Sequence, residues 1–180
     1  GKVLYALDER SDPKRDSSPA GISAYSLDPG SGRLTLLNQQ SAGAAGPCHL
    51  AVDQTGRAVL VANYAGGGAA ALPIRADGSV GEPSSVVPHV GRSVNSARQT
   101  SPHAHAIVVS PDNRFALVPD LGIDRVVVYQ LDAARAVLTP QPAGDALLPP
   151  GSGPRHLAFH PSGRFVYVFN ELFCTMASHR

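Results

Sequence analysis

The sequence predicts an all-β fold: a β-propeller of four-stranded antiparallel blades, about three and a half of them, with residues 1–180 as one truncated domain. Three observations carry this expectation. A hairpin pattern is written three times, over residues 47–64, 105–120 and 153–171, and a worn copy opens the chain. Its second strand is apolar on both faces: in the last copy Phe165, Tyr167 and Phe169 alternate with Val166 and Val168. A strand of that kind is buried between packed layers, not laid on an open sheet. Finally, 18 Gly and 16 Pro punctuate short apolar runs, and no stretch has helical periodicity.

Aligning Lys2, Arg57, Arg114 and Arg164 gives a repeat of about 50–57 residues, near the ~40–50 of propeller blades. In order, residues 3–7 read as a strand, 8–20 as a polar loop, 21–27 as a strand, 28–33 as a turn and 34–37 as a short outer strand. After the hairpin over 47–64 come a strand over 66–74, a turn over 75–79 and an edge-like strand over 80–87 broken by Pro83. Residues 88–104 form a long polar loop, and loops of that length are usually functional or disordered. The next hairpin leads into a strand over 124–131 and an outer segment near Leu138, and the last hairpin closes the series. Half a ring leaves two unpaired apolar faces, so the chain is expected to be a fragment that self-associates.

With 15 basic and 14 acidic residues, and no basic stripe with aromatic partners, nucleic acid is not an expected partner. No apolar run reaches the ~18–20 residues of a membrane span, and the first residues lack a leader layout. Cys48 and Cys174 are too few for a disulfide scaffold; two reduced thiols fit a cytoplasmic protein and do not exclude a periplasmic one.

Paired residues of an antiparallel hairpin have a constant index sum. That sum puts Arg155 beside Asn170 and Glu171, His105 beside Asp120, and Cys48 and His49 beside Asn63. In each copy the polar residues gather opposite the turn. Radial stacking brings these ends to one mouth of the central channel, next to the 88–104 loop. His103 and His105 share a strand face but lack a third ligand nearby, so no metal or other cofactor is expected. His105 suits acid/base work near neutrality. Arg155 suits an anion, with Arg98 and Arg125 secondary candidates. A structural Arg155–Glu171 ion pair is the plainer alternative, and His156 and His160 read as hairpin-structural. Asn113, at the opposite turn, is expected to tolerate Ala. No Gly-rich phosphate loop or Gly-x-Ser-x-Gly elbow is present, so neither a phosphate cradle of that type nor an elbow serine is expected.

The motifs Pro-His-x-His-x-x-x-x-Ser-Pro-Asp (102–112), Asp-Leu-Gly-x-Asp-Arg-Val (120–126) and Gly-Pro-Arg-His-Leu-x-Phe-His-Pro (153–161), through Asn-Glu-Leu (170–172), resemble the seven-bladed lactonase propeller family. That family includes propeller-type 6-phosphogluconolactonases and the fungal carboxymuconate lactonising enzyme. The resemblance implies a catalytic His105, Arg155 and Glu171 acting on a small-molecule lactone; His103, Asp120, Arg98, Arg125 and Asn170 are the neighbouring residues expected to bind it. It implies hydrolysis of a sugar lactone, with cycloisomerisation or a non-catalytic interaction platform as alternatives. Hydrolysis and cyclisation both need a proton shuttle and an anion site, so the residues do not choose between them. After Leu172, residues 173–180 depart from the small, β-branched strand usual in the family.

Overall fold

The computed structural model describes residues 2–9, 21–141 and 144–180. Most of the polar loop expected over 8–20 lies outside them. Among the described residues fifteen strands make four antiparallel sheets in chain order. The first holds β1 (Val3–Leu7), β2 (Gly21–Leu27) and β3 (Leu34–Ser41). The second holds β4 (Pro47–Val52), β5 (Ala58–Asn63), β6 (Gly68–Pro73) and β7 (Ser85–Pro88). The third holds β8 (Val108–Val109), β9 (Phe115–Asp120), β10 (Arg125–Asp132) and β11 (Val137–Pro140), with β12 (Ala146–Leu147) also on β10. The fourth holds β13 (Pro154–Phe159), β14 (Val166–Asn170) and β15 (Thr175–His179). Each sheet is a blade of a partial propeller.

Some boundaries differ from the sequence reading. β7 starts at Ser85, after Pro83, because proline cannot donate to the ladder; Val80 makes only an isolated bridge to Ile74. The atypical tail is itself a strand, β15, paired residue for residue with β14.

The blades are held face to face by three apolar layers. β5 is buried throughout and serves two of them. Val59 and Val61 pack with Ile22, Ala24 and Leu72 toward the first blade. Ala58, Leu60 and Ala62 pack with Ile107, Val118 and Tyr129 toward the third. A third layer joins Val126 and Leu148 to Leu157, Val166 and Val168. Burying each such side chain contributes about 1.5–3 kcal/mol, which is why the middle strands lack the usual polar alternation. β14 is different: Val166, Val168 and Asn170 are buried, whereas Tyr167 is 37% and Phe169 41% exposed. Among the described residues no sheet covers that face.

At the turn end the blades are also pinned by polar contacts. Asn113, at φ 60°, accepts from the Gln54 amide at 2.9 Å and donates to Asp53 at 3.1 Å. It joins the second and third blades, so replacing it by Ala is expected to cost stability.

Candidate active site

The inner hairpins share a backbone device at the end opposite their turns. In β4–β5 the pairing moves from Pro47↔Asn63 to His49↔Ala62, skipping Cys48. In β13–β14 it moves from Pro154↔Asn170 to His156↔Phe169, skipping Arg155. The third blade repeats the slip between Ala104↔Asp120 and Val108↔Leu117, in the stretch that holds His105. A bulge leaves its extra residue unpaired and re-aims its side chain. Cys48, His105 and Arg155 are therefore equivalent positions in successive blades, and they converge.

Arg155 Nε donates to His105 Nε2 at 3.0 Å and lies 3.2 Å from Glu171 Oε2. Glu171 Oε1 accepts from Arg98 Nη2 at 2.7 Å, and the same Nη2 donates to the Tyr64 hydroxyl at 3.3 Å. Tyr64 and Glu171 are themselves equivalent, each the first residue after the second strand of its hairpin. Arg98, carried by the 88–104 loop, spans from the second blade to the fourth across the third. The Tyr64 ring stacks on His103 with centroids 4.5 Å apart and meets His105 edge-on at 5.3 Å. His103 Nδ1 donates to the Tyr64 carbonyl at 3.1 Å. His156 lies 5.4 Å from His105 and 5.7 Å from His49, centroid to centroid.

Because the Arg155 N–H must donate, His105 Nε2 carries the lone pair and the ring proton sits on Nδ1, which is buried without a hydrogen-bond partner among the described residues. Burial, then the Arg155 charge and His156, hold the His105 pKa below the ordinary imidazole value. His49 and His156 are lowered too, again by burial first. The site thus presents neutral imidazoles beside two guanidinium groups that share one carboxylate. The Cys48 thiol is pushed up to about 11 by burial, with the Glu9 charge next, so it is no nucleophile. Among the described residues, no His, Cys, Asp and Glu side chains gather in a group that would hold a metal ion.

The structure brings together His105, Arg155, Glu171, Arg98 and His103 from the sequence list. It does not bring Asp120, Arg125 or Asn170. Asp120 is wholly buried; its carboxylate accepts from the amides of His103 (2.7 Å) and Gly122 (2.9 Å) and meets His89 Nδ1 at 2.6 Å. Arg125 turns to Asp145 at 3.8 Å. Asn170 is buried and donates to Thr175 at 3.2 Å. These are correctly placed along the strands but face inward or outward. Conversely, Tyr64, His49 and His156 belong to the cluster, and His156 is more than hairpin scaffolding. The repeat alignment contained the signal for Tyr64, since it falls opposite Glu171.

Comparison with known proteins follows the same lines. A model of the lactonase family, described as a seven-bladed β-propeller, matches residues 1–179. A Bacillus subtilis 6-phosphogluconolactonase is 38% identical over 170 residues, covering 94% of this chain and 46% of that protein. A Bacteroides fragilis structure, provisionally assigned as a 6-phosphogluconolactonase, superposes with a TM-score of 0.91 at 34% identity, over 100% of this chain and 50% of that one. A periplasmic gluconolactonase of Pseudomonas aeruginosa gives a TM-score of 0.83 at 37% identity, over 93% and 47%. The chain therefore spans about half the length of the relatives it matches. With its blades, its bulged inner strands and the match over nearly its whole length, the chain belongs to the seven-bladed β-propeller lactonase family.

Proposed function

We propose that this chain supplies the His105, Arg155 and Glu171 portion of a site that hydrolyses a sugar lactone, of the 6-phosphogluconolactone class, in carbohydrate metabolism. The observation that carries the reading is the Arg155 Nε contact to His105 Nε2 at 3.0 Å, beside Glu171. A lactone carbonyl drawing Arg155 toward its oxygen releases the Nε2 lone pair. His105 then takes a proton from water as its oxygen bonds to the carbonyl carbon. The carbonyl electrons move to oxygen, and the oxyanion faces Arg155. Collapse breaks the bond to the ring oxygen, which receives the proton from His105, and the ring-opened hydroxy acid leaves. Glu171 orients Arg155 and Arg98, and Arg98 is placed to hold an anionic substituent.

We take the 180 residues as one stretch of a larger ring. A cytoplasmic setting suits two free thiols, and fractionation against the periplasmic precedent from Pseudomonas decides it. Among the described residues no helix is long and apolar enough to cross a membrane. The function is tested in the full-length protein by pH-stat hydrolysis of 6-phosphogluconolactone and gluconolactone, with carboxymuconate cyclisation in parallel. His105→Ala should slow hydrolysis roughly 10²–10⁴-fold. Arg155→Lys, which keeps the charge and loses the fork, should raise KM. Wild-type rates in both variants at unchanged stability would refute the assignment.

A further inference from the structure

Three of the clustered groups reach the site on irregular backbone: His105 at a bulge, Arg98 on a long loop, and Arg155 after residues 149–153. All three approaches meet the turn over residues 120–124, between β9 and β10. Asp120 receives both ends of the Arg98 loop: His89 near its start, through Nδ1 at 2.6 Å, and His103 at its end, through the amide at 2.7 Å. The other nitrogen of His89 lies 2.6 Å from the hydroxyl of the buried Tyr129. His105 is two residues beyond His103, and its amide donates to the Pro119 carbonyl at 3.0 Å.

Asp124 holds the other two approaches. Its Oδ1 accepts from Gln99 Nε2 at 2.9 Å and from the Gly153 amide at 2.7 Å, and its Oδ2 from the Gly151 amide at 2.7 Å. Gln99 adjoins Arg98 and is wholly buried; Gly153 lies two residues before Arg155. Asp124 sits at φ 51°, as does Cys174 at the same turn position of the fourth blade, and at Asp124 this turn conformation carries three acceptor contacts. Between the two aspartates, a Cβ on Gly122 would collide with the Ser101 carbonyl, so turn and loop are in backbone contact. The residues equivalent to Asp120 in the neighbouring blades, Asn63 and Asn170, have no such set among the described residues: their side-chain amides donate to Ala42 and to Thr175.

We infer that the turn over residues 120–124 is the positioning element of the site, with Asp120 fixing His105 and Asp124 fixing the spacing of Arg98 and Arg155 about Glu171. The kinetic part of the inference rests on the lactone-hydrolysis reading; the geometric part does not. Asp53 provides a matched control. It is a buried turn carboxylate at the opposite end, accepting from the amides of Thr55 (2.8 Å), Arg57 (2.6 Å) and Ala58 (2.8 Å).

The experiment compares Asp124→Asn, Asp120→Asn and Asp53→Asn in the full-length protein by urea unfolding, lactone kinetics and NMR titration of the 15N-labelled His105 ring. That ring is faced by Arg155, Glu171, His156 and Tyr64, with Cys48 against its carbonyl. Asp53→Asn should lose stability and leave kcat and the His105 titration unchanged. Asp124→Asn should lower kcat by up to about 10²-fold, as expected for a displacement near 1 Å. Its His105 midpoint should rise toward the ordinary imidazole value as Arg155 withdraws. Asp120→Asn should shift the same two quantities through the His103–His105 segment. Should Asp124→Asn not fold, Asp120→Asn decides alone. A wild-type protein that hydrolyses no lactone overturns the proposed function, while the titrations still judge the turn. If both variants match Asp53→Asn in kcat loss and in His105 midpoint, the inference is overturned.

Discussion

Replacing Asn113 by Ala tests the blade-to-blade geometry far from the chemistry. Asn113 makes two contacts across the second and third blades, from the Gln54 amide at 2.9 Å and to Asp53 at 3.1 Å. At about 0.5–1.5 kcal/mol each, their loss costs about 1–3 kcal/mol. The residue also sits at φ 60°, where an alanine Cβ adds about 1 kcal/mol that asparagine largely avoids. The sum is about 2–4 kcal/mol, a large fraction of the stability of a domain this size. Asn113→Gly separates the two contributions, since glycine loses the contacts and not the backbone freedom; it should be about 1 kcal/mol more stable than the alanine variant. Urea unfolding followed by tyrosine fluorescence and far-UV circular dichroism reads both. Lactone turnover per folded molecule should stay at the wild-type level, because the site lies at the other end of the hairpins. An Asn113→Ala protein within 0.5 kcal/mol of wild type would show that this contact does not join the blades.

The pH dependence of stability has a defined sign. His49, His105 and His156 all titrate below 6.5 when folded, so the unfolded chain binds more protons as the pH falls. Their contribution is complete above about pH 6.5 and is lost as the pH drops through the folded-state values; urea midpoints from pH 8 to pH 5 should fall, and less steeply in His49→Gln. The open face of β14 should drive association, so Tyr167→Lys with Phe169→Lys should shift sedimentation of the 180-residue chain toward monomer; an unchanged distribution refutes this. A disulfide-exchange reagent at pH 7.5 should label exposed Cys174 quickly and Cys48 only on unfolding, so Cys174→Ser should abolish the fast phase.

The blades were legible in the sequence because interblade burial leaves a mark on composition: β5 and β9 read as continuous apolar runs, and they are enclosed from both sides. The same pattern in β14 promised two covered faces and delivers one, since strand composition records the neighbour a face is suited to, not the neighbour it has. Index sums along each hairpin found the correct end for His105, Arg155 and Glu171. They placed Asp120 and Asn170 there as well, but a sum gives position along a strand and not the direction of a side chain. Asp120 points to the amides of His103 and Gly122, Asn170 to the Thr175 hydroxyl, and Arg125 toward Asp145. Tyr64 escaped notice because it differs in chemistry from Glu171, although the repeat assigns both the same slot. The interblade role of Asn113 was hidden for a related reason: a turn asparagine is legible as local backbone chemistry, and its partners in the next blade are not.

The repeated bulge makes the inner rim a set of interchangeable sockets. The second, third and fourth blades each offer one socket, and its backbone conformation is set by the slip in pairing, not by the residue it carries: Cys48, His105 and Arg155 occupy it alike. Chemistry and architecture are thereby uncoupled. Exchange of one socket residue alters the reagents facing the axis while the hydrogen-bond ladder that holds the blade stays as it was. Cys48, with its thiol against the His105 carbonyl at 3.4 Å, fills the socket least committed to chemistry in this chain.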